Sequence, residues 1–345
     1  MAVDFLSMSS EERANFIKAL CQPQFRVKQI EEWLFSRAVL DYNQMTNLPL
    51  SLREQLVETK IPLVASSLRD QQSSPSAVKF VVELADLQLV EAVIMFYHHG
   101  VTLCVSSQVG CKMACGFCAS GQGGYKRNLS SHEMTAQLIL ANNLLSERDQ
   151  KVTHIVMMGM GEPLDNYEAT IGFLRTVASP HFGISPRRIT VSTCGLVPQI
   201  ERLALEGLPV TLSVSLHAPN DTIREQLMPV SKRYAFNQVL AAMHLYQQRS
   251  GRRVTIEYTL IKGVNDSEKN ATELATKIRG GDFHVNLIPV NPVEGMPWER
   301  PTLPRVRRFQ AVLVAAGINA TIRREIGVGI SGSCGQLRRS LTDKR

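Results

Sequence analysis

The sequence predicts an α/β fold: a partial barrel of six β/α units, preceded by a helical accessory segment and a small β extension. Three observations carry this reading. From Val101 onward, six apolar, β-rich runs alternate with amphipathic helical segments. The first stretch of the chain instead carries its apolar residues at helical spacing. Between the two lie paired β-like runs, set off by the stretch Ser73-Ser74-Pro75-Ser76.

Ser9-Ser10-Glu11-Glu12 reads as a capped helix start, and Val27, Ile30, Trp33 and Leu34 continue the helical spacing. A further helix is expected over Leu50 to Lys60. Val78 to Leu84 and Leu89 to Tyr97 read as paired strands. The barrel strands are expected at Val101 to Val105, Thr153 to Met158, Arg188 to Thr193, Val210 to Leu216, Val254 to Ile261 and His284 to Pro289. The intervening helices are Ser130 to Leu145, Asn166 to Val177, Pro198 to Leu205, Phe236 to Gln248, Ser267 to Arg279 and Leu303 to Ala316. Repeated β-then-α units imply a parallel sheet covered by helices, and six are too few to close the usual eight-fold barrel. The expected divisions are 1–76 (helical), 77–98 (β-hairpin), 99–325 (barrel) and 326–345 (a C-terminal loop and basic tail).

Cys111, Cys115 and Cys118 form a CxxxCxxC run directly after the first barrel strand. Three thiolates with no fourth nearby suit an iron-sulfur cubane with one iron left open, since such clusters usually take four cysteines. A structural zinc loop is the alternative, but zinc wants a closed tetrahedral set and no second CxxC or CxxH unit is present. Gly116 is expected to let the backbone wrap closely between ligands. Other candidates sit at later strand ends: Gly159 to Pro163, Ser192 to Gly195, Ser215 to Pro219, and Asn291-Pro292. One pocket at the C-terminal rim of the sheet is expected to collect them.

Composition sets outer limits. The chain has 345 residues, 44% of them hydrophobic, enough for a large core. Its net charge of +7 favours a polyanionic partner, with nucleic acid the natural candidate. The N-terminus lacks the basic-then-apolar order of a signal peptide, and no apolar run reaches membrane-spanning length. Seven cysteines, three of them clustered, suit cytosolic metal or redox work better than a disulfide scaffold. A cytoplasmic protein is therefore expected.

Four blocks make the pattern specific. Leu103 to Cys111, Val156 to Leu164, Ser213 to Asp221 and Ser333 to Leu337 together resemble the RlmN/Cfr family of radical S-adenosylmethionine RNA methyltransferases that modify adenine. The resemblance runs from about Phe25 through Leu337 and implies a radical SAM barrel holding a 4Fe-4S cluster and S-adenosyl-L-methionine. It implies Cys111, Cys115 and Cys118 as cluster ligands. It further implies Gly161 and Glu162 for the methionine amino group, Ser192 and the strip Ser215, Leu216 and His217 for the carboxylate and ribose side, and Asn291 for the adenosyl end.

For the reaction, the resemblance implies methylation at adenine C2 in 23S rRNA and in tRNA, with two cofactor molecules consumed per turnover. Adenine C2 has no lone pair with which to attack an electrophilic methyl group. The family therefore passes the methyl through a cysteine, here Cys334, as an S-methyl intermediate. Cys104 matches the resolving cysteine, forming a transient disulfide with Cys334. Glu91 matches the proton acceptor, although a strand glutamate is by default a solvated group. An electron donor such as flavodoxin, a monomeric state and RNA contact through the helical segment are also expected.

Two rivals are weighed. Relatives that methylate C8 commonly carry alanine where Pro163 stands and a nonproline residue where Pro289 stands, so both prolines favour C2. A metal-stabilised RNA-binding protein without catalysis would leave Cys104, Cys334 and the Gly-Glu-Pro strand end without a task. One departure from the family pattern is the segment Gly329-Ile330-Ser331-Gly332-Ser333, where relatives commonly carry an acidic residue, an isoleucine and two alanines. Extra glycine makes that loop easier to bend and costlier to order. Cys21 and Cys194 are read as packing residues, Met157, Met158 and Met160 as core packing with a flexible surface near the cofactor, and Phe117 as core or a cover for the cluster.

Overall fold

The computed structural model describes residues 4–291, 293, 295–323, 330 and 335–337. Helices α1 (Ser10–Ala19), α2 (Phe25–Glu31) and α3 (Leu50–Glu58) open the chain. The Ser9 hydroxyl accepts the Glu12 amide while the Glu12 carboxylate accepts the Ser9 amide, the reciprocal capping expected of this start. Phe5, Ile17, Ile30, Leu34, Leu52 and Leu56 bury into a separate apolar cluster that also takes Ala136 and Ile139 from the barrel. This shared seam is how the helical segment is attached.

Strands β1 (Ser67–Ser74), β2 (Ala77–Glu83), β3 (Leu89–Tyr97) and β4 (Gly100–Cys104) follow as an antiparallel meander. β1 includes the Ser73-Ser74 pair, which the sequence suggested was only punctuation. Its residues are almost all exposed, so it lacks the alternation that marks a half-buried strand. The turn proper is Pro75-Ser76. A small ladder of β5 (Gln108–Val109) and β6 (Arg127–Asn128) encloses the cysteine loop and α4 (Ala119–Gln122).

The remainder alternates as expected: α5 (Ser131–Ser146), β7 (Val152–Met157), α6 (Tyr167–Val177), β8 (Ile189–Thr193), α7 (Val197–Leu203), β9 (Thr211–Ser215), α8 (Asp221–Leu227), α9 (Phe236–Ser250), β10 (Val254–Leu260), α10 (Glu268–Lys277), β11 (Phe283–Pro289), α11 (Leu303–Ala315) and β12 (Asn319–Ile322). The ten-stranded sheet runs β1-β2-β3-β4-β7-β8-β9-β10-β11-β12. It is parallel from β4 to β12. The parallel set thus gains β12, a strand beyond the six expected, and α8 is a further addition. Both are too short for a periodic signal. Val191, Leu212, Val214, Ile256, Tyr258, Val285 and Leu287 form the fully buried centre of the sheet. No helix among the described residues is long and apolar enough to cross a membrane.

Candidate active site

The ends of β7 to β11 border an open cleft containing about 910 Å³ of empty space. Cys111, Cys115 and Cys118 line it from the loop after β4. Gly161 and Glu162 line it after β7, Ser192 and Cys194 at β8, Ser215 and His217 at β9, and Asn291 beyond β11. Of the residues expected to meet a cofactor, Leu216 alone is absent from the lining; its side chain is fully buried in the core. One rim therefore gathers groups far apart in the sequence, from Cys111 through His217 and Asn291 to Gly335.

Backbone bonds fix the cysteine loop. The Gly116 amide donates to the Leu227 carbonyl at 2.9 Å, and the Trp298 indole donates to the Gly116 carbonyl. A Cβ at Gly116 would meet Leu227 and Trp298 at 3.6 Å or more, ordinary contact distances, so close wrapping does not demand glycine here. The left-handed turn in the loop falls on Ala114, at φ 52°. Ala119 donates its amide to the Gly335 carbonyl at 2.8 Å, and the Ser120 hydroxyl donates to the Leu337 carbonyl at 2.9 Å. The residues just past Cys334 are thereby tied to the loop just past Cys118. Cys334 itself, and with it the expected disulfide to Cys104, lies outside the described residues, as do most of Gly329 to Ser333 and the tail from Arg338.

Burial first, then the Glu162, Cys118 and Asp165 charges, pushes the Cys111 thiol up to about 12. Burial likewise holds Cys115 well above the usual thiol range, with Cys118 and Cys111 adding to the rise. Three mutually repelling sulfurs in such a place deprotonate readily only against a strongly positive group. A cluster of iron ions is such a group. Among the described residues no three His, Cys, Asp or Glu side chains already close on a single ion. A cubane does not ask them to, because each thiolate takes a different iron. The donor set fits the cluster better than a mononuclear zinc cage.

Glu162 is 4% exposed and held on both oxygens: Oε1 accepts the Leu164 amide at 3.0 Å and Oε2 the Cys194 amide at 2.7 Å. Burial raises its pKa above the ordinary carboxylate range, opposed by the bonds from Cys194, Thr193 and Leu164. A buried acid at the cleft wall suits an ammonium ligand. Gly161 has φ +103°, and a Cβ there would stand 2.6 Å from the Gln108 side chain. The glycine is thus required by packing against Gln108, whose Oε1 in turn accepts the Glu162 amide at 2.8 Å. His217, at φ 56°, accepts the Thr259 amide on Nδ1 at 2.9 Å, which puts the neutral ring's proton on Nε2. Phe117 meets it edge-on at 4.7 Å. Burial, then the Arg224 cation, pushes the imidazole down to about 3.

Cys104 and Glu91 are both buried and neither lines the cleft. Cys104 pairs with Val93 on β3 and with Val156 on β7, while Met158, two residues beyond Val156, does line the cleft. Glu91 lies two residues from Val93, on the same face as Cys104. Far from being solvated, it forms an ion pair with Lys79 at 3.4 Å. The Ser106 hydroxyl donates to the Glu91 carbonyl at 2.6 Å and accepts the Met160 amide at 2.8 Å, joining this strand to the turn that presents Gly161.

Several residues that line or brace the cleft escaped the sequence reading. Glu257 on β10 accepts Ser213 and Asn286 side-chain bonds at 2.7 and 2.8 Å and faces Arg323 at 3.7 Å. Cys194, in the Ser192-to-Gly195 stretch expected at the rim but read as a packing side chain, lines the cleft beside Glu162. Arg224 is fully buried and donates to the Cys194 carbonyl at 2.7 Å and the Tyr234 carbonyl at 3.0 Å. Only the alternation within β10 hinted that Glu257 faces inward with Thr259. Met157 and Met158 line the cleft and Phe117 does so beside Cys118, whereas Met160 is core and Cys21 is exposed.

Comparison with known proteins places these features in context. Residues 105–275 match the family model of the radical SAM superfamily. Residues 3–61 match that of the ribosomal RNA large subunit methyltransferase N-terminal domain. The chain is 44% identical over 336 residues to a probable dual-specificity RNA methyltransferase RlmN of Carboxydothermus hydrogenoformans, covering 97% of each protein. It is 44% identical over 344 residues to the protein of the same description from Lachnoclostridium phytofermentans, covering 99% of this chain and 96% of that one. The crystal structure of a radical SAM methyltransferase from Sphaerobacter thermophilus matches with a TM-score of 0.92 and 44% identity, covering 97% of this chain and 99% of that one.

Proposed function

This chain belongs to the RlmN family of radical SAM RNA methyltransferases, and from that premise we propose that it methylates C2 of an adenine in 23S rRNA, adenine 2503, and adenine 37 of tRNAs. The observation that carries the proposal is the single cleft shared by the three loop cysteines, the Gly161-Glu162 turn, the strand-end group Ser192, Ser215, His217 and Asn291, and Gly335. Gly335, which lines the cleft, directly follows Cys334 in the sequence, and this supports the reading of Cys334 as the methyl carrier.

When bound, the 4Fe-4S cluster and S-adenosylmethionine supply the methyl group and the radical chemistry that an electron-poor carbon requires. Cys111, Cys115 and Cys118 hold the cluster. Glu162 receives the cofactor's ammonium, while Ser192 and the strip Ser215, Leu216 and His217 receive its carboxylate and ribose. Asn291 takes the adenosyl end. The Cys334 thiolate accepts the methyl group and carries its carbon to the base. In the resulting adduct the C2–H bond breaks with its electron pair returning to the purine ring and its proton passing to a Glu91 carboxylate oxygen. The Cys104 thiolate then attacks the Cys334 sulfur: the S–S bond forms as the C–S bond breaks, the carbon keeps that electron pair and takes a proton from solvent to complete the methyl group on the base, and outside thiols reduce the disulfide.

Pro163 lines the cleft and Pro289 ends β11 beside it, and these two prolines favour C2 over C8. The 1–76 segment and the basic edge of the 99–325 barrel would grip the folded RNA while one adenosine turns out. Anaerobic reaction with a large-subunit rRNA fragment and a tRNA, followed by mass spectrometry, tests this reading. The expected product is 2-methyladenosine; 8-methyladenosine or no methylation would refute it. Cys334→Ala should abolish methyl transfer yet retain cofactor cleavage, and Cys104→Ala should leave protein joined to RNA.

A further inference from the structure

We propose that Lys79 is a positioning residue for the proton-transfer step, holding the Glu91 carboxylate charged on the sheet face that also carries Cys104. The inference rests on the reading of Glu91 as proton acceptor and adds a residue to it. Lys79 and Glu91 side chains are 8% and 2% exposed, and Nζ stands 3.4 Å from Oε1. Lysine is seldom so buried unless it is paired, and a buried carboxylate without a cation takes up a proton instead of staying charged.

Strand register explains why this pair sits where it does. Lys79 pairs with Val93 on β3, and Val93 pairs with Cys104 on β4, so Lys79 and Cys104 occupy one row on one face. Glu91 occupies the adjacent row, opposite Val81. Val93 is the spacer between ammonium and thiol. The acceptor's cation therefore comes from β2, on the far side of the strand from the reacting thiol. A carboxylate needs its charge to take the C2 proton, and in this dry place an ammonium at 3.4 Å supports that charge.

The test compares Lys79→Met, Lys79→Arg, Glu91→Gln and the double variant Lys79→Met/Glu91→Gln. Lys79→Met is expected to slow methylation about a hundredfold, the scale of losing a general base, while RNA-linked protein accumulates. Lys79→Arg should restore most of the rate. Infrared spectra of the metal-free chains give an independent readout: Lys79→Met should show a protonated-carboxyl stretch that the double variant lacks. If Lys79→Met does not fold, Lys79→Gln carries the same measurements. Normal methylation by Lys79→Met, or an infrared spectrum without the new band, overturns the proposal. A Glu91→Gln enzyme that methylates normally instead removes Glu91 from the mechanism, and the Lys79 proposal falls with it.

Discussion

The Glu162 carboxylate receives the Cys194 amide at 2.7 Å, a bond that ties the turn after β7 to the end of β8 at the floor of the cleft. Two loops from different β/α units thus share one acid. Glu162→Ala strands the amides of Cys194 and Leu164 without their acceptor. It should lower the stability of the metal-free chain by about 2–3 kcal/mol, measured by urea denaturation. Equilibrium dialysis should also find no S-adenosylmethionine retained. Unchanged denaturation would show that these amides find other partners.

Gly161→Ala tests backbone geometry apart from charge. The new Cβ would press to within 2.6 Å of Gln108 at a φ of +103° that L-residues rarely adopt. A cost of about 1–3 kcal/mol in thermal or chemical denaturation is expected, with weaker cofactor binding. Binding at wild-type strength would mean that the turn relaxes without moving Glu162.

His217 makes stability depend on pH. Its imidazole titrates near 6.5 when unfolded and at about 3 when folded, because burial and then Arg224 disfavour the cation. The unfolded chain therefore binds the extra proton across that window. The stability due to the neutral ring is complete above 6.5 and is lost as pH falls toward 3, by a few kcal/mol in total. His217→Asn, which tolerates the positive φ, should flatten this acid-side decline in denaturation midpoints. An equally steep decline in the variant would assign it to other groups.

Trp298→Phe removes the indole N–H that holds the Gly116 carbonyl while keeping an aromatic ring against the cysteine loop. Groups that orient metal ligands commonly contribute tenfold or more to retention. The reconstituted variant should bleach in air about tenfold faster, followed by visible absorbance and iron content. Equal bleaching would place the loop's rigidity in the Gly116 to Leu227 bond instead.

Contiguous motifs at strand ends were legible in the sequence. Cys111 to Cys118, Gly161-Glu162, Ser192, Ser215 and His217 all lie at or just past the ends of apolar runs, and a parallel sheet necessarily brings such ends to one rim. Glu257, Lys79 and Arg224 were not legible. Each is a charged residue whose burial depends on partners distant in sequence, such as Asn286 for Glu257 and the Cys194 carbonyl for Arg224. β1 was missed for the opposite reason: an edge strand wetted on both faces carries no apolar pattern. Gly116 and Gly161 show that a glycine's reason can differ from the one its motif suggests, since Gly116 has ordinary room and Gly161 is crowded by Gln108.

The shared row of Lys79, Val93 and Cys104 constrains how this part of the gene can drift. A residue inserted at the exposed His98-His99 turn merely lengthens a connection. The same insertion between Glu91 and Val93 would turn one of the two to the opposite face of the sheet, because strand side chains alternate sides. Length polymorphism should therefore gather at the turns on either end of β3, while the strand between them tolerates replacement but not insertion or deletion.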